Sequence, residues 1–192
     1  MFERINSTGT KLTIYDLMVA ATFETDFDLN DEVEALQESF EEEGFHLEGE
    51  SIIRALAATR DTVVSRSSLL ALRNVGSSEL KTSLKTARLS IEKAIDFLQT
   101  EVGVVSSDFL PYDAQLLVLG KLFKSTKSFS AEQRKLVRSW FWGSSFTERY
   151  RGASDSLLNE DLEDLPQRLA KGDPLLKPVA FTADDLRSRE FR

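Results

Sequence analysis

The sequence predicts an all-α fold, a bundle of about seven to nine helices with no substantial sheet. The first indication is that apolar side chains recur at three- and four-residue spacing, the pattern of a helix face, along most of the chain. The second is a series of helix-start signals, in which Ser, Thr, Asp or Asn precedes an apolar stripe. The third is the lack of alternating β-branched runs, since Val102, Val104 and Val105 form too short a patch to indicate a sheet.

Three helices are predicted in the first third of the chain. Thr13 is a helix-start residue and Asp16 stands where a capping-box partner would, so the first helix covers about 13–25. Asn30 or Asp31 can cap the second helix, whose acidic run ends at a glycine. The apolar stripes of the second helix and of a shorter third one consist of Val33, Leu36 and Phe40, and of Ile52, Ile53, Leu56 and Ala57.

The strongest periodic signal predicts a long amphipathic helix that Ser77 or Ser78 caps and that stops near Gly103. Pro111 suits the first turn of the next helix, and Ser130 begins a capping box in front of another. The apolar stripe of the long helix consists of Leu80, Leu84, Ala87, Ile91, Ile95 and Leu98.

The end of the helical region is predicted near Pro166, which terminates or kinks a last short helix. We therefore place a helical domain at 13–170. Residues 171–192 are expected to be an extended connector that leads into the start of a cut-off helix.

The composition is that of an ordinary globular protein, 192 residues of which 41% are apolar and 29% charged. The absence of cysteine excludes a disulfide framework and a thiolate metal site, and a single histidine, His46, excludes a multi-histidine site. The longest apolar run, 17–21, is far shorter than the roughly 18 residues of a membrane span, and no signal-peptide pattern is present. We therefore expect a soluble, cytoplasmic protein with no membrane partner.

Charge is concentrated in the first quarter of the chain, where residues 1–50 contain 14 acidic and 2 basic side chains. Because the whole chain has a net charge of −8, nonspecific nucleic-acid binding by the whole chain is disfavoured. Lys81, Lys85 and Arg88 lie on one side of the predicted long helix, opposite its apolar stripe. They are candidate nucleic-acid contacts, although a solvated outer surface would need the same residues.

No pattern in the sequence predicts a catalytic residue or a metal site. Asp26, Asp28 and Asn30 alternate as the first calcium ligands of an EF-hand do, but Asp31 and Gln37 replace the glycine and the glutamate that such a loop needs. Farther along, an aromatic group could stack nucleobases, but its helical spacing favours a place in the core. The group consists of Trp140, Phe141, Trp142, Phe146 and Tyr150.

Two segments carry a resemblance to a known family. The opening FERINSTGTKL, 2–12, resembles the F-x-R-I-N-x-x-G-x-x-L signature of the GmrSD-type restriction endonuclease N-terminal domain family, and 139–165 resembles the aromatic and R-Y segment near that family's distal end. Members combine a ParB/sulfiredoxin-like half, which bears a D-G-Q-Q-R motif, with a helical half, often followed by an HNH nuclease domain. This chain begins inside the first motif and contains neither D-G-Q-Q-R nor an HNH pattern, so the resemblance covers chiefly the helical half.

The resemblance implies that residues 1–12 are the tail end of a truncated nucleotide-handling motif. It also implies that the chain acts as a scaffold, or as a partner or DNA-contact module, within a nucleotide-dependent and modification-dependent restriction protein of phage defence. Arg4 and Asn6 would approach a nucleotide or phosphate, Gly9 would form the turn that aims them, and Arg149 and Tyr150 would anchor helices. The chain alone is expected to hold no cofactor and to catalyse nothing, whereas a full-length relative could use a nucleoside triphosphate. Its expected partners are an upstream α/β half or a nuclease domain, with DNA a weaker candidate. The alternative is a free-standing helical protein-interaction module, in one version a homodimer.

Overall fold

The computed structural model describes residues 12–24, 27–126 and 128–177. The all-α prediction is confirmed, since these residues form eight α-helices and, outside them, a single isolated β-bridge between Glu24 and Phe27. The helices are α1 (Ile14–Thr22), α2 (Leu29–Glu42), α3 (Gly49–Thr59), α4 (Arg66–Ala71), α5 (Ser77–Phe97), α6 (Asp113–Ser125), α7 (Ala131–Phe146) and α8 (Asp155–Lys171).

The centre of the fold is formed by α3, α5 and α6, which pack against one another. On one flank α1, α2 and α4 pack against α3, and on the other α8 packs on α6 and α7 packs on α8. Apolar side chains from all eight helices join in one buried cluster. Burying each Leu, Ile or Phe of this cluster contributes about 1.5–3 kcal/mol, so the shared core holds the helices together.

Helix starts agree with the sequence where a complete capping box is present, at Thr13 and Ser130. Thr13 and Asp16 form the predicted reciprocal capping box of α1, with 3.1 Å from the Asp16 amide to Thr13 Oγ1. The cap of α2 is Asp28, which accepts a 2.8 Å bond from the Asn30 amide, so the prediction of Asn30 or Asp31 was wrong by two or three residues. Asp28, Asn30 and Asp31 stand within four residues of one another, and spacing alone does not choose among them.

The long helix carries the predicted apolar stripe, all of which is buried. Its N-cap is Gly76 with no side-chain cap, so the prediction of Ser77 or Ser78 was wrong, because the helix starts one or two residues earlier than those caps require. After Phe97 the chain continues as one wider π-type turn, 98–102, which ends at Gly103 with φ 87°. The carbonyl of Leu98 accepts bonds from the amides of Gly103 and Val104, which close this turn.

The last helix runs through Pro166 and ends at Lys171, so the proline does not terminate it. Pro166 cannot donate to the carbonyl of Leu162, a loss that burial of Leu165 and Leu169 on either side offsets. Pro111 lies just outside α6, whose N-cap is Tyr112. The sequence analysis missed α4, because six residues are too short to show a helical period.

We expect Gly120→Ala to stabilise the protein. Gly120 lies inside α6, and a Cβ there would have Ile91 Cγ1 as its nearest neighbour at 3.9 Å, an ordinary contact. Removing a mid-helix glycine should therefore raise the free energy of unfolding by about 0.5–1 kcal/mol in urea denaturation.

The matched control for this prediction is Gly44→Ala. Gly44 has φ 86°, and a Cβ there would lie 3.1 Å from the Val105 carbonyl oxygen, so this variant should lose about 1–3 kcal/mol. Equal losses in the free energy of unfolding in the two variants would contradict the ordinary contact expected between a Cβ at position 120 of α6 and Ile91 of α5.

Candidate functional site

The three residues expected to contact a nucleotide, Arg4, Asn6 and Gly9, lie outside the described residues and stay predictions. The helix that follows them is firmly placed. Tyr15 of α1 donates a 2.9 Å hydrogen bond to Asn30 Oδ1, and its ring lies against Gly49, where a Cβ would come within 3.0 Å. The segment 1–11 is therefore joined to a well-anchored helix.

The three predicted basic residues of α5 do not converge on one point. Lys81 is half-buried, with its Nζ 5.5 Å from the ring centroid of Phe27. Arg88 bonds Glu92 through Nε at 2.6 Å and Ser39 Oγ at 3.3 Å. Lys85 is exposed and forms no ion pair with any residue that the structure describes. Lys81 and Arg88 thus have separate neighbours, and the three cations do not form one cluster.

Carboxylates surround both ends of this row. Lys81 lines a cleft of about 630 Å³ together with Glu24, Asp28, Asp31 and Glu32. At the other end burial, and then the charge of Glu92, raises the pKa of Glu43. A phosphate approaching the row would meet these negative charges, so the geometry favours a solvated helix surface, and nucleic-acid contact by α5 stays a prediction.

A buried ionic network occupies the turn between α7 and α8. Asp161 of α8 is 2% exposed and accepts two bonds from Arg149, at 2.8 Å from Nε and 2.6 Å from Nη2. The hydroxyl of Tyr150 donates to the same carboxylate at 2.6 Å. The turn that carries both donors contains positive φ values at Glu148 (53°) and Gly152 (61°). The carboxylate therefore has three donors, which compensate for its burial.

The electrostatics of this network are those of an anchor. Hydrogen bonds to Asp161 raise the pKa of Arg149, and burial, reinforced by the charge of Asp161, raises the pKa of the Tyr150 hydroxyl. Arg149 therefore stays charged and the Tyr150 hydroxyl keeps its proton at ordinary pH. Arg149 and Tyr150, the R-Y pair of the second matched segment, tie the turn after α7 to α8.

A second buried charge joins α6 to the end of α3. Lys121 Nζ donates to the Ala58 carbonyl at 2.7 Å and to the carboxylate of Asp61, which also accepts a 2.7 Å bond from Lys124. Ala58, Asp61 and Lys121 line a cleft of about 480 Å³ beside Pro166. The C-terminal end of α3 and a carboxylate meet two ammonium groups here, so both lysines are engaged in contacts that join the two helices.

The structure divides the aromatic group in two. Trp140, Phe141 and Tyr150 are buried, as their helical spacing predicts. Trp142 is 42% exposed and stacks on Phe146, with ring centroids 5.8 Å apart and an interplanar angle of 23°. The prediction of a core position thus holds for three of the five residues, and Trp142 belongs to the outer surface of α7.

Two arginines share that outer surface. Glu101, in the turn after α5, accepts 2.5 Å and 2.8 Å bonds from Arg134 and Arg138, one helical turn apart on α7. The sequence analysis missed this cluster. The spacing of Arg134, Arg138 and Trp142 at intervals of four was visible in the sequence, but the contact with Glu101 spans more than thirty residues and has no local signal.

Metal sites and membrane-spanning helices are both absent from the described residues. No group of three or more histidine and carboxylate side chains among them is arranged to hold a metal ion. No helix in the same part of the chain has the length and apolar content needed to cross a bilayer.

Replacing Asp161 should be the most damaging of the charge substitutions described in this section. Asp161→Ala leaves the Arg149 guanidinium and the Tyr150 hydroxyl without their shared acceptor, so we expect a loss of about 3–5 kcal/mol in the free energy of unfolding. Arg151→Ala removes an exposed pair with Glu148 and should leave the free energy of unfolding nearly unchanged. Similar losses in both variants would show that the network is not an anchor.

Asp61→Asn should reveal a pH-dependent contribution. Hydrogen bonds from Lys121 and then Lys124 hold the pKa of Asp61 below its ordinary value of 3.8. A lowered folded-state pKa stabilises the protein above 3.8, and this contribution is lost as the pH falls through the lowered value. Asn tolerates the φ of 57° at this position, so the stability difference should shrink in acid, whereas a constant difference would contradict the assignment.

The chain was compared with known proteins. No family profile matches it, and no solved structure does. It is similar to an uncharacterised protein of Methanocaldococcus jannaschii, MJ0686, with 26% identity over 176 residues. The match covers 87% of this chain and 30% of the relative, so the chain spans less than a third of that protein's length.

Proposed function

We propose that the chain is the helical portion of a GmrSD-like, modification-dependent restriction protein, in which it serves as a scaffold and catalyses nothing alone. The observation that carries the proposal is the fold of the second matched segment. Residues 139–165 supply the end of α7, the anchoring turn and the start of α8, and the R-Y pair in that segment meets on Asp161. The three hydrogen bonds from this pair to Asp161 hold the turn after α7 against α8, as a rigid framework requires.

The scaffold would act by positioning the first matched segment. That segment ends at Leu12, and Thr13 and Asp16 then fix the start of α1 through their capping box. Tyr15 holds α1 against the beginnings of α2 and α3. Arg4 and Asn6 would therefore be offered to a nucleotide from a fixed base, and the groups that hydrolyse the nucleotide and cut DNA would lie in other parts of the protein.

The similarity to a longer archaeal protein supports a modular role. Most of this chain matches less than a third of that relative, as expected of a unit that works beside other domains. The charged groups buried in the described core, Asp161 and Lys121, are engaged in packing contacts, which also suits a framework.

The proposal is tested first by the complete reading frame of the gene. We expect an in-frame D-G-Q-Q-R motif upstream of residue 1, and an unrelated gene at that place would contradict the proposal. The second test uses the purified chain. It should show no nucleotide hydrolysis and no DNA cleavage above a buffer control, and turnover abolished by Arg4→Ala would overturn the non-catalytic assignment.

A free-standing protein-interaction module is the second candidate. It is favoured by large apolar side chains on the surface, of which Phe23 is 68% and Phe109 67% exposed. Light scattering after size exclusion should then give a mass above 21.6 kDa that falls in Phe23→Ser or Phe109→Ser, whereas a monomer at all concentrations would exclude the homodimer.

A further inference from the structure

We propose that the outer face of α7 binds single-stranded nucleic acid, with Trp142 stacking on a base and Arg134 and Arg138 holding neighbouring phosphates. This α7 face consists of Arg134, Lys135, Arg138, Trp142 and Phe146. The proposal concerns binding by this chain itself, so it stands or falls separately from the proposed scaffold role. Its basis is the combination of an exposed, oriented ring with ordered cations on one helix surface.

The ring of Trp142 is held in place by two aromatic neighbours. It stacks on Phe146 and meets the buried ring of Phe141 edge-on, at a centroid distance of 5.3 Å and an angle of 87°. The 42% of Trp142 that stays exposed is available to a ligand. Because the ring is already ordered, a base that stacks on it loses little binding energy to side-chain ordering.

The two arginines are oriented from beneath. Glu101 is 22% exposed, and the arginines above it are 43% and 40% exposed, so the carboxylate lies on the protein side of both guanidinium groups. Each guanidinium uses Nη1 for Glu101, which leaves its other N–H groups to donate to a phosphate. Because Glu101 already orders the two guanidinium groups, less side-chain entropy is lost when a phosphate binds to them.

The local charge of the face is complementary to phosphate. Its three cations, Arg134, Lys135 and Arg138, are opposed by Glu101 and by Glu132, the partner of Lys135 at 2.9 Å. The face is therefore net positive, although the whole chain has a charge of −8. The 14 acidic residues in 1–50 dominate the total charge, and none of them is part of this face.

The spacing fits a single strand. Positions 134, 138 and 142 follow one another by four residues, or about 6 Å along a helix axis. This distance is comparable to the separation of successive nucleotides in an extended strand, so two phosphates and the next base can be read by consecutive turns. Paired bases in a duplex present no free ring face to Trp142, and an acidic peptide would leave the ring unused.

The test is a fluorescence titration of the full chain with a short oligothymidylate at low salt. We expect saturable binding that weakens with added salt and quenches tryptophan emission, because Trp142 is exposed and Trp140, the other tryptophan, is 1% exposed. Trp142→Leu should weaken binding by about 5- to 100-fold and remove the quenching. Arg138→Gln should weaken it and reduce the salt slope by about one.

The matched control is Arg73→Gln, which removes the same charge from an exposed site beyond α4 and should leave the affinity within about twofold. Circular dichroism verifies that each variant is folded. The proposal is overturned if no binding occurs at low salt, if Trp142→Leu binds as tightly as the parent, or if a duplex of the same length binds equally well. It is also overturned if the chain does not bind the oligonucleotide but self-associates, and Trp142→Leu abolishes that self-association. The α7 face would then be a contact between two copies of the chain.

Discussion

Burial of apolar side chains at the crossing of α5 and α6 is the interaction on which the rest of the structure depends. Gly120 of α6 faces Ile91 of α5 at this crossing, and α3 completes the centre. Every other helix packs directly or through one neighbour onto these three. Since isolated helices of this length are marginal in water, each helix is stable chiefly because it covers this centre.

Two buried ionic contacts within this apolar core fix how neighbouring elements meet. Asp161 accepts three hydrogen bonds from Arg149 and Tyr150. Lys121 donates hydrogen bonds to the carbonyl of Ala58 and to the carboxylate of Asp61. Charges buried with their partners add little net stability but penalise any arrangement that separates them. They therefore specify where α8 lies against the turn after α7 and where α3 ends against α6.

The surfaces of α5 and α7 show why a count of basic residues does not identify a binding face. On α5, Lys81 and Arg88 lie among carboxylates of α2 and of the same helix. On α7, a single carboxylate beneath two arginines orders them while leaving the face positive and next to an exposed tryptophan. What matters is the position of the opposing charge, below the cations or around them.

The sequence by itself determined the all-α class, the apolar stripe of α5 and the capping boxes at Thr13 and Ser130, because these depend on residues within one or two helical turns of each other. Only the tertiary structure decided which of the aromatic residues reach the surface, that Asp161 joins Arg149 to Tyr150, and that Glu101 orients two arginines of α7. It also decided that α8 continues through Pro166, since packing of the leucines on both sides outweighs one missing hydrogen bond. The physical reason is the same in each case. These features depend on contacts between residues that are remote in the chain, and a local sequence pattern does not show which remote residues will come into contact.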